Sequence, residues 1–249
     1  MAVNQQSLGC LVFGAGGGIG SETSRRLAAS GARLLLAGRT AASLAPLAEE
    51  LGAEFAECDA RQSGQVEAVF AHASKVIGPL TGVVNCVGSI LLKPAHLTSD
   101  AEWGDTLATN LNTSFYIVRA AAQAMSATGG GSVVLVSSVA ARRGLANHEA
   151  IAAAKAGIIG LTLSAAASYA RQRIRFNAVA PGLVQTPLTQ SLTANEAALK
   201  FSTNLHALGR IGQPGDIASA ICWLLDPAQS WITGQVISVD GGLSSVQAR

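Results

Sequence analysis

The sequence predicts an α/β fold: a doubly wound, seven-stranded parallel sheet between two helical layers, an αβα sandwich. Two observations carry this. Short apolar runs alternate with longer helical stretches along the whole chain, the pattern of repeated strand–helix–strand units. The strand runs are apolar throughout rather than alternating, as expected when helices cover both faces of a sheet. Taken in order, strands are expected at 8–13, 33–37, 54–57, 82–86, 132–136, 173–178 and 235–239. Helices are expected at 19–30, 41–51, 63–77, 99–126, 149–171 and 214–225. No linker, repeat or low-complexity tract divides the chain, which reads as one domain over 1–249. The stretch 186–208 interrupts the rhythm after Pro181-Gly182. It is either a lid over a pocket or a surface helical excursion.

Composition bounds the function. The 249 residues are 49% hydrophobic, enough for one large core, and only 13% charged, against roughly 25% in ordinary soluble domains. So little charge implies that much surface is covered in an oligomer. A net charge of +2 predicts no broad basic face, so nucleic acid is not an expected partner. No window approaches 18 uninterrupted apolar residues, and no membrane span is expected. Residues 1–7 lack the basic patch and apolar run of a leader. Cys10, Cys58, Cys86 and Cys222 are scattered without a C-x-x-C pair. They read as buried, reduced thiols of a cytoplasmic protein, and no metal site is expected.

Immediately after the first strand comes Gly14-Ala15-Gly16-Gly17-Gly18-Ile19-Gly20, then a helix. Glycines let backbone approach a pyrophosphate, and a helix amino terminus favours its negative charge. The second strand ends in Gly38-Arg39-Thr40. An acidic residue there would bind a ribose 2′-hydroxyl and repel a 2′-phosphate. With Gly38 in that place, Arg39 is either a clamp for the phosphate or a solvated side chain opening a helix. The missing carboxylate favours NADP(H) over NAD(H).

Gly14, Gly18 and Gly20 fit G-x-x-x-G-x-G, and with Ser138, Lys155 and Asn110 this resembles the short-chain dehydrogenase/reductase family with its Rossmann-type sheet. The stretches 209–218 and 232–242 resemble β-ketoacyl reductases and their relatives, so the likeness covers nearly the whole chain. The resemblance implies that Gly14, Gly18, Ile19 and Gly20 cradle the pyrophosphate and that Asp59 hydrogen-bonds the adenine. Asn85 and Gly88 match the outer members of the family's Asn-Asn-Ala-Gly. Pro181, Gly182 and Thr186 match the segment that backs the nicotinamide and reaches its carboxamide. It further implies that Ser138 bonds the substrate oxygen, that Lys155 holds the nicotinamide ribose, and that Asn110 bends a helix and holds a relay water. Homodimers or homotetramers built on the helices at 99–126 and 149–171 are implied as well.

One position departs. Four residues before its Lys the family carries a Tyr that exchanges a proton with the substrate; here that residue is Ile151. Ile151 and Lys155 lie one turn apart on one helical face, but Ile has no exchangeable proton. His148 and Glu149 are the nearest titratable groups in sequence. His148 is a candidate acid, or a helix-start residue without a chemical role; Glu149 suits the helix amino terminus. Tyr169 lies roughly 21 Å beyond Lys155 by helix rise. Arg142 and Arg143 could meet an anionic substrate or be solvated in their loop.

Three functions stay open. The chain could be an NADP(H)-dependent oxidoreductase with altered proton handling, acting on a carbonyl or imine. It could be a non-redox lyase or isomerase on the same scaffold, or an inert cofactor-binding subunit or regulator. The loops around 89–97, 140–149 and 186–208 are expected to shape the pocket, and their apolar content suggests a mainly hydrophobic small molecule.

Overall fold

A computed structural model describes residues 8–247; the stretch 1–7, read above for a leader, lies outside the described residues. Seven strands form one parallel sheet: β1 (Gly9–Phe13), β2 (Arg33–Gly38), β3 (Glu54–Glu57), β4 (Gly82–Asn85), β5 (Gly131–Val136), β6 (Ile174–Pro181) and β7 (Val236–Val239), in the order β3-β2-β1-β4-β5-β6-β7. The connecting helices are α1 (Gly18–Ala29), α2 (Ala41–Leu51), α3 (Ser63–Val76), α4 (Asp100–Leu107), α5 (Thr113–Ser126), α6 (Glu149–Tyr169), α7 (Gln190–Thr193), α8 (Glu196–Leu205) and α9 (Pro214–Leu225). Strand order reverses at β1, which pairs with both β2 and β4. A crevice at such a switch point, outside the strand carboxyl ends, is where doubly wound sheets bind ligands.

Two buried clusters explain the uniformly apolar strands. Leu11 and Phe13 face one helical layer with Phe70 and Ile117, while Cys10 and Val12 face the other with Leu27 and Ile221. Successive strand residues point to opposite faces, so a sheet covered twice needs apolar side chains at every position. The edge strands are less buried: both ends of β3 are exposed, and β7 is half-buried along its length.

Several expectations need correction. The helix expected at 99–126 is broken by a π-helical turn, Ala108–Asn112, between α4 and α5. The sixth strand does not stop at 178 but pairs with β7 as far as Pro181. It also starts one residue later than expected, because Arg173 takes a left-handed conformation with φ 60°. Cys10 and Cys58 are buried as expected, whereas Cys86 and Cys222 are only half-buried; all four are free thiols. The span Glu149–Gln172, α6 with one further turn, is long and apolar enough to cross a membrane by length and composition. Its buried residues Ile158, Ala165 and Ala166 belong instead to the core on one side of the sheet.

Candidate active site and cofactor cradle

The glycine turn is shaped so that side chains are excluded. Gly14 has φ +72°, and a Cβ there would lie 2.8 Å from the carbonyl carbon of Cys86 across the switch point. A Cβ on Gly20 would stand 2.2 Å from the Gly14 carbonyl oxygen, and one on Gly18 would meet Thr186 Cγ2 at 2.9 Å. Helix α1 starts at Gly18 with no side-chain cap and no acidic residue in its first turn. Its leading N–H groups are therefore left for an anion. The half-buried Ile19 packs against the core, so its contribution to a ligand is its backbone N–H. These features fit a dinucleotide pyrophosphate.

At the adenosine end, Arg39 is exposed just beyond β2. Asp59 follows β3, but its carboxylate is already held by Arg61 at 2.9 Å, with the Arg61 backbone N–H on Oδ1 at 3.1 Å. The Arg61 bonds hold the Asp59 carboxyl below the usual carboxylate range. Arg61 also reaches Asp105 on α4 at 3.3 Å. Sequence reasoning missed Arg61, although its place two residues after Asp59 was the signal. It also missed Glu57, whose Oε1 accepts the backbone N–H of Ala41 at 2.5 Å.

Asn85 works inside the protein. Its Nδ2 donates to Ser114 Oγ at 3.0 Å and its Oδ1 accepts from Val87 N at 3.0 Å, which folds the chain sharply after β4. That turn brings Gly88 against two further residues: a Cβ there would be 3.1 Å from Asn110 Oδ1 and 3.3 Å from Lys155 Nζ. Asn110 sits in the π-turn, so the expected helix bend has its physical cause. Both donors of its side-chain amide are spent, on Ser89 Oγ and the Thr106 carbonyl, each at 3.0 Å, while Oδ1 accepts from Ser89 N. Its amide thus pins the loop after β4, rather than standing free for the relay water that the resemblance implied.

Lys155 is almost wholly buried. Its Nζ donates to the Val136 carbonyl at 2.9 Å, and Ser137 Oγ donates to the Lys155 carbonyl at 2.9 Å, binding α6 to the end of β5. Burial pulls the Lys155 amine down to about 8. Half-buried Ser138 accepts the Ala140 N–H at 3.1 Å, which leaves its own hydroxyl proton free. Ile151, 4% exposed, lies one turn before Lys155. His148 precedes α6 with its Nδ1 2.7 Å from the Ala146 carbonyl, to which Nδ1 donates. No hydrogen bond joins His148 to Ser138 or Lys155 among the described residues. Arg142 and Arg143 are exposed, as the solvated reading expects, and each also donates to a distant carbonyl, that of Val236 and of Leu243 respectively.

Around the remaining wall, Pro181 ends β6 and is buried. A Cβ on Gly182 would lie 2.6 Å from Nε2 of His206, which itself accepts the Leu183 N–H at 3.2 Å. Thr186 N donates to Thr189 Oγ1 at 3.0 Å, which holds Thr186 over the glycine turn. Lys93 N donates to the carbonyl of Asn147 at 2.8 Å, so the loops around 89–97 and 140–149 meet.

The chain's likeness to known proteins agrees with this geometry. A family model described as Enoyl-(Acyl carrier protein) reductase matches residues 14–244. Galactitol 2-dehydrogenase (L-tagatose-forming) of Cereibacter sphaeroides is 37% identical over 237 residues, 93% of this chain and 92% of that protein. A short-chain type dehydrogenase/reductase from Mycobacterium ulcerans superposes with a TM-score of 0.93 at 29% identity, over 100% of this chain and 93% of that one. An actinorhodin polyketide ketoreductase solved with NADPH gives a TM-score of 0.92 at 30% identity, over 99% and 100% of the two chains. With its parallel seven-stranded sheet and its glycine cradle at the strand switch, this chain belongs to the short-chain dehydrogenase/reductase family.

Proposed function

We propose that the protein is an NADP(H)-dependent oxidoreductase that reduces a carbonyl or imine of a mainly apolar small molecule without a hydroxyl at position 151. The observation that carries this is the pairing of a retained, buried Lys155 with a buried Ile151 one turn away. A pocket kept only as scaffold has no need to bury an amine. The relatives named above are dehydrogenases and reductases, and Arg39 beside Gly38 favours a cofactor with a 2′-phosphate.

Bound nicotinamide supplies the hydride. Ser138, whose lone pair already takes the Ala140 N–H, turns its proton toward a carbonyl substrate's oxygen and meets the negative charge that develops there on hydride addition. Lys155 is largely protonated at neutral pH, and its ammonium adds to that field from beneath Gly88. It delivers a proton through water, with His148 as the second candidate donor. Asn110 fixes the loop that carries Gly88. Ile151 forms an apolar wall, which suits an acceptor needing little acid help, such as an imine already protonated. General acids contribute typically 10²–10⁴-fold, so their loss slows such a reaction without forbidding it.

Helices α7 and α8 act as the lid. No residue of α8 is fully buried, and Leu188 and Phe201 are exposed apolar groups on this segment. Exposed Trp103, Phe115 and Leu163 on α4, α5 and α6 support a homodimer or homotetramer, and the protein is assigned to the cytoplasm. NADPH oxidation against ketones, acyl thioesters, quinones and imines tests the assignment, with Ile151→Tyr, Lys155→Ala and His148→Ala alongside. Turnover by the parent that is lost in Lys155→Ala is expected. Activity only in Ile151→Tyr would turn the assignment toward non-redox chemistry or cofactor sensing.

A further inference from the structure

Glu57 ends β3, and in the parallel register it stands beside Gly38, the last residue of β2. Gly38 is the position where a dinucleotide site of this topology usually carries its ribose-binding acid. Its side chain is missing, and a Cβ there would already press within 3.1 Å of Leu44 on α2. The carboxylate of Glu57 reaches across to the same corner, where its Oε1 accepts the Ala41 N–H at 2.5 Å.

That N–H is the first of α2, whose N-cap residue Thr40 makes no side-chain cap. Glu57 therefore holds one of the donors that a helix start offers to an anion. The first turn of α2 also leans on the pyrophosphate turn, since a Cβ at Gly16 would lie 2.8 Å from the Ser43 carbonyl oxygen. Two parts of the adenosine-ribose site thus meet at one carboxylate, the end of β2 and the start of α2, and α2 in turn abuts the glycine turn. Arg39 follows Gly38 directly and brings a positive side chain to the same edge of the sheet, where its charge also acts on Asp59.

We propose that Glu57 is a specificity-determining residue that supplies, from the neighbouring strand, the carboxylate missing at position 38. It accepts the 2′-hydroxyl of NAD(H) and opposes the 2′-phosphate of NADP(H), while Arg39 draws that phosphate in. The proposal rests on the nicotinamide-cofactor assignment and turns its NADP(H) preference into a balance between two opposed charges. Glu57 makes the site open to both cofactors.

The test is the dissociation constants of NADPH and NADH, measured by calorimetry on the full chain, its Glu57→Gln variant and its Arg39→Ala variant. Gln keeps an acceptor for the Ala41 N–H and removes only the charge. The expected result is an NADPH Kd lower by about tenfold or more in Glu57→Gln, a size reasonable for unit charges near a protein surface. The NADH Kd should hold or rise, so the ratio moves toward NADPH. An unchanged ratio in Glu57→Gln overturns the proposal. Arg39→Ala reads the other charge: if its NADPH Kd is unaltered, the clamp assigned to Arg39 fails while the Glu57 ratio still decides the proposal. If neither cofactor binds the parent chain, both fail together.

Discussion

Gly88 lies directly against Lys155: a Cβ at residue 88 would come within 3.3 Å of Lys155 Nζ and 3.1 Å of Asn110 Oδ1. The turn after β4 and the amine on α6 are therefore fitted to each other. Gly88→Ala is expected to displace one of these two groups by a few tenths of an ångström. Its kcat/KM should fall by roughly tenfold, the scale of a small misplacement in a positioned site, while the melting temperature changes little. An unchanged kcat/KM would remove Gly88 from the site.

The buried Lys155 amine makes stability depend on alkaline pH. Its value drops from the ordinary 10.5 to about 8 through burial. Between those two values the folded protein has released this proton while the unfolded chain still holds it, so stability rises with pH across that window. The rise amounts to about 3 kcal/mol; below pH 8 the cost of the buried charge is felt in full. Burial pushes the Cys10 and Cys86 thiols up to about 12, which lowers stability above pH 9 and opposes the trend. The difference between the parent and Lys155→Met in urea unfolding cancels the thiols. That difference should narrow in favour of the parent from pH 8 to pH 10.5, and a flat difference would contradict the buried ammonium.

Asn110→Ala removes three side-chain hydrogen bonds at a fully buried position. Left without partners, Ser89 and the Thr106 carbonyl should cost about 2–3 kcal/mol together. The loop that carries Gly88 should loosen, so cofactor affinity falls as well. Denaturant midpoints and cofactor titrations check both.

Gly20→Ala sets helix propensity against sterics. Ala in a helix is favoured over Gly by up to ~1 kcal/mol, yet its Cβ would sit 2.2 Å from the Gly14 carbonyl oxygen. The clash should win, with a lower melting temperature and little cofactor binding. Gly17→Ala, where the nearest contact is 3.3 Å, should be far milder. Equal effects of the two would show that the turn adapts.

Most of the fold was legible because a doubly covered sheet writes itself as unbroken apolar runs between amphipathic stretches. What escaped was anything decided by a single inserted residue or by contacts across strands. The π-turn at 108–112 leaves apolar periodicity almost untouched, so α4 and α5 read as one helix. The extension of β6 to Pro181 was hidden because its last partners lie on β7, some sixty residues later in the chain. In the site, the glycine turn and Lys155 were visible from spacing. The capture of Asp59 by Arg61, the anchoring of Arg142 and Arg143 on distant carbonyls, and the placing of Glu57 beside Gly38 all depend on tertiary register.

The decisive step is hydride transfer without a hydroxyl at position 151. Deuterium transfer from NADPH labelled at the nicotinamide C4, in both stereochemical forms, tests it most directly by mass spectrometry of products from the ketone and imine panel. Label is expected in a product made by the parent chain, with transfer at least about a hundredfold slower in Lys155→Ala, within the range of a general-acid contribution. Label appearing only with Ile151→Tyr, and never with the parent, would contradict it.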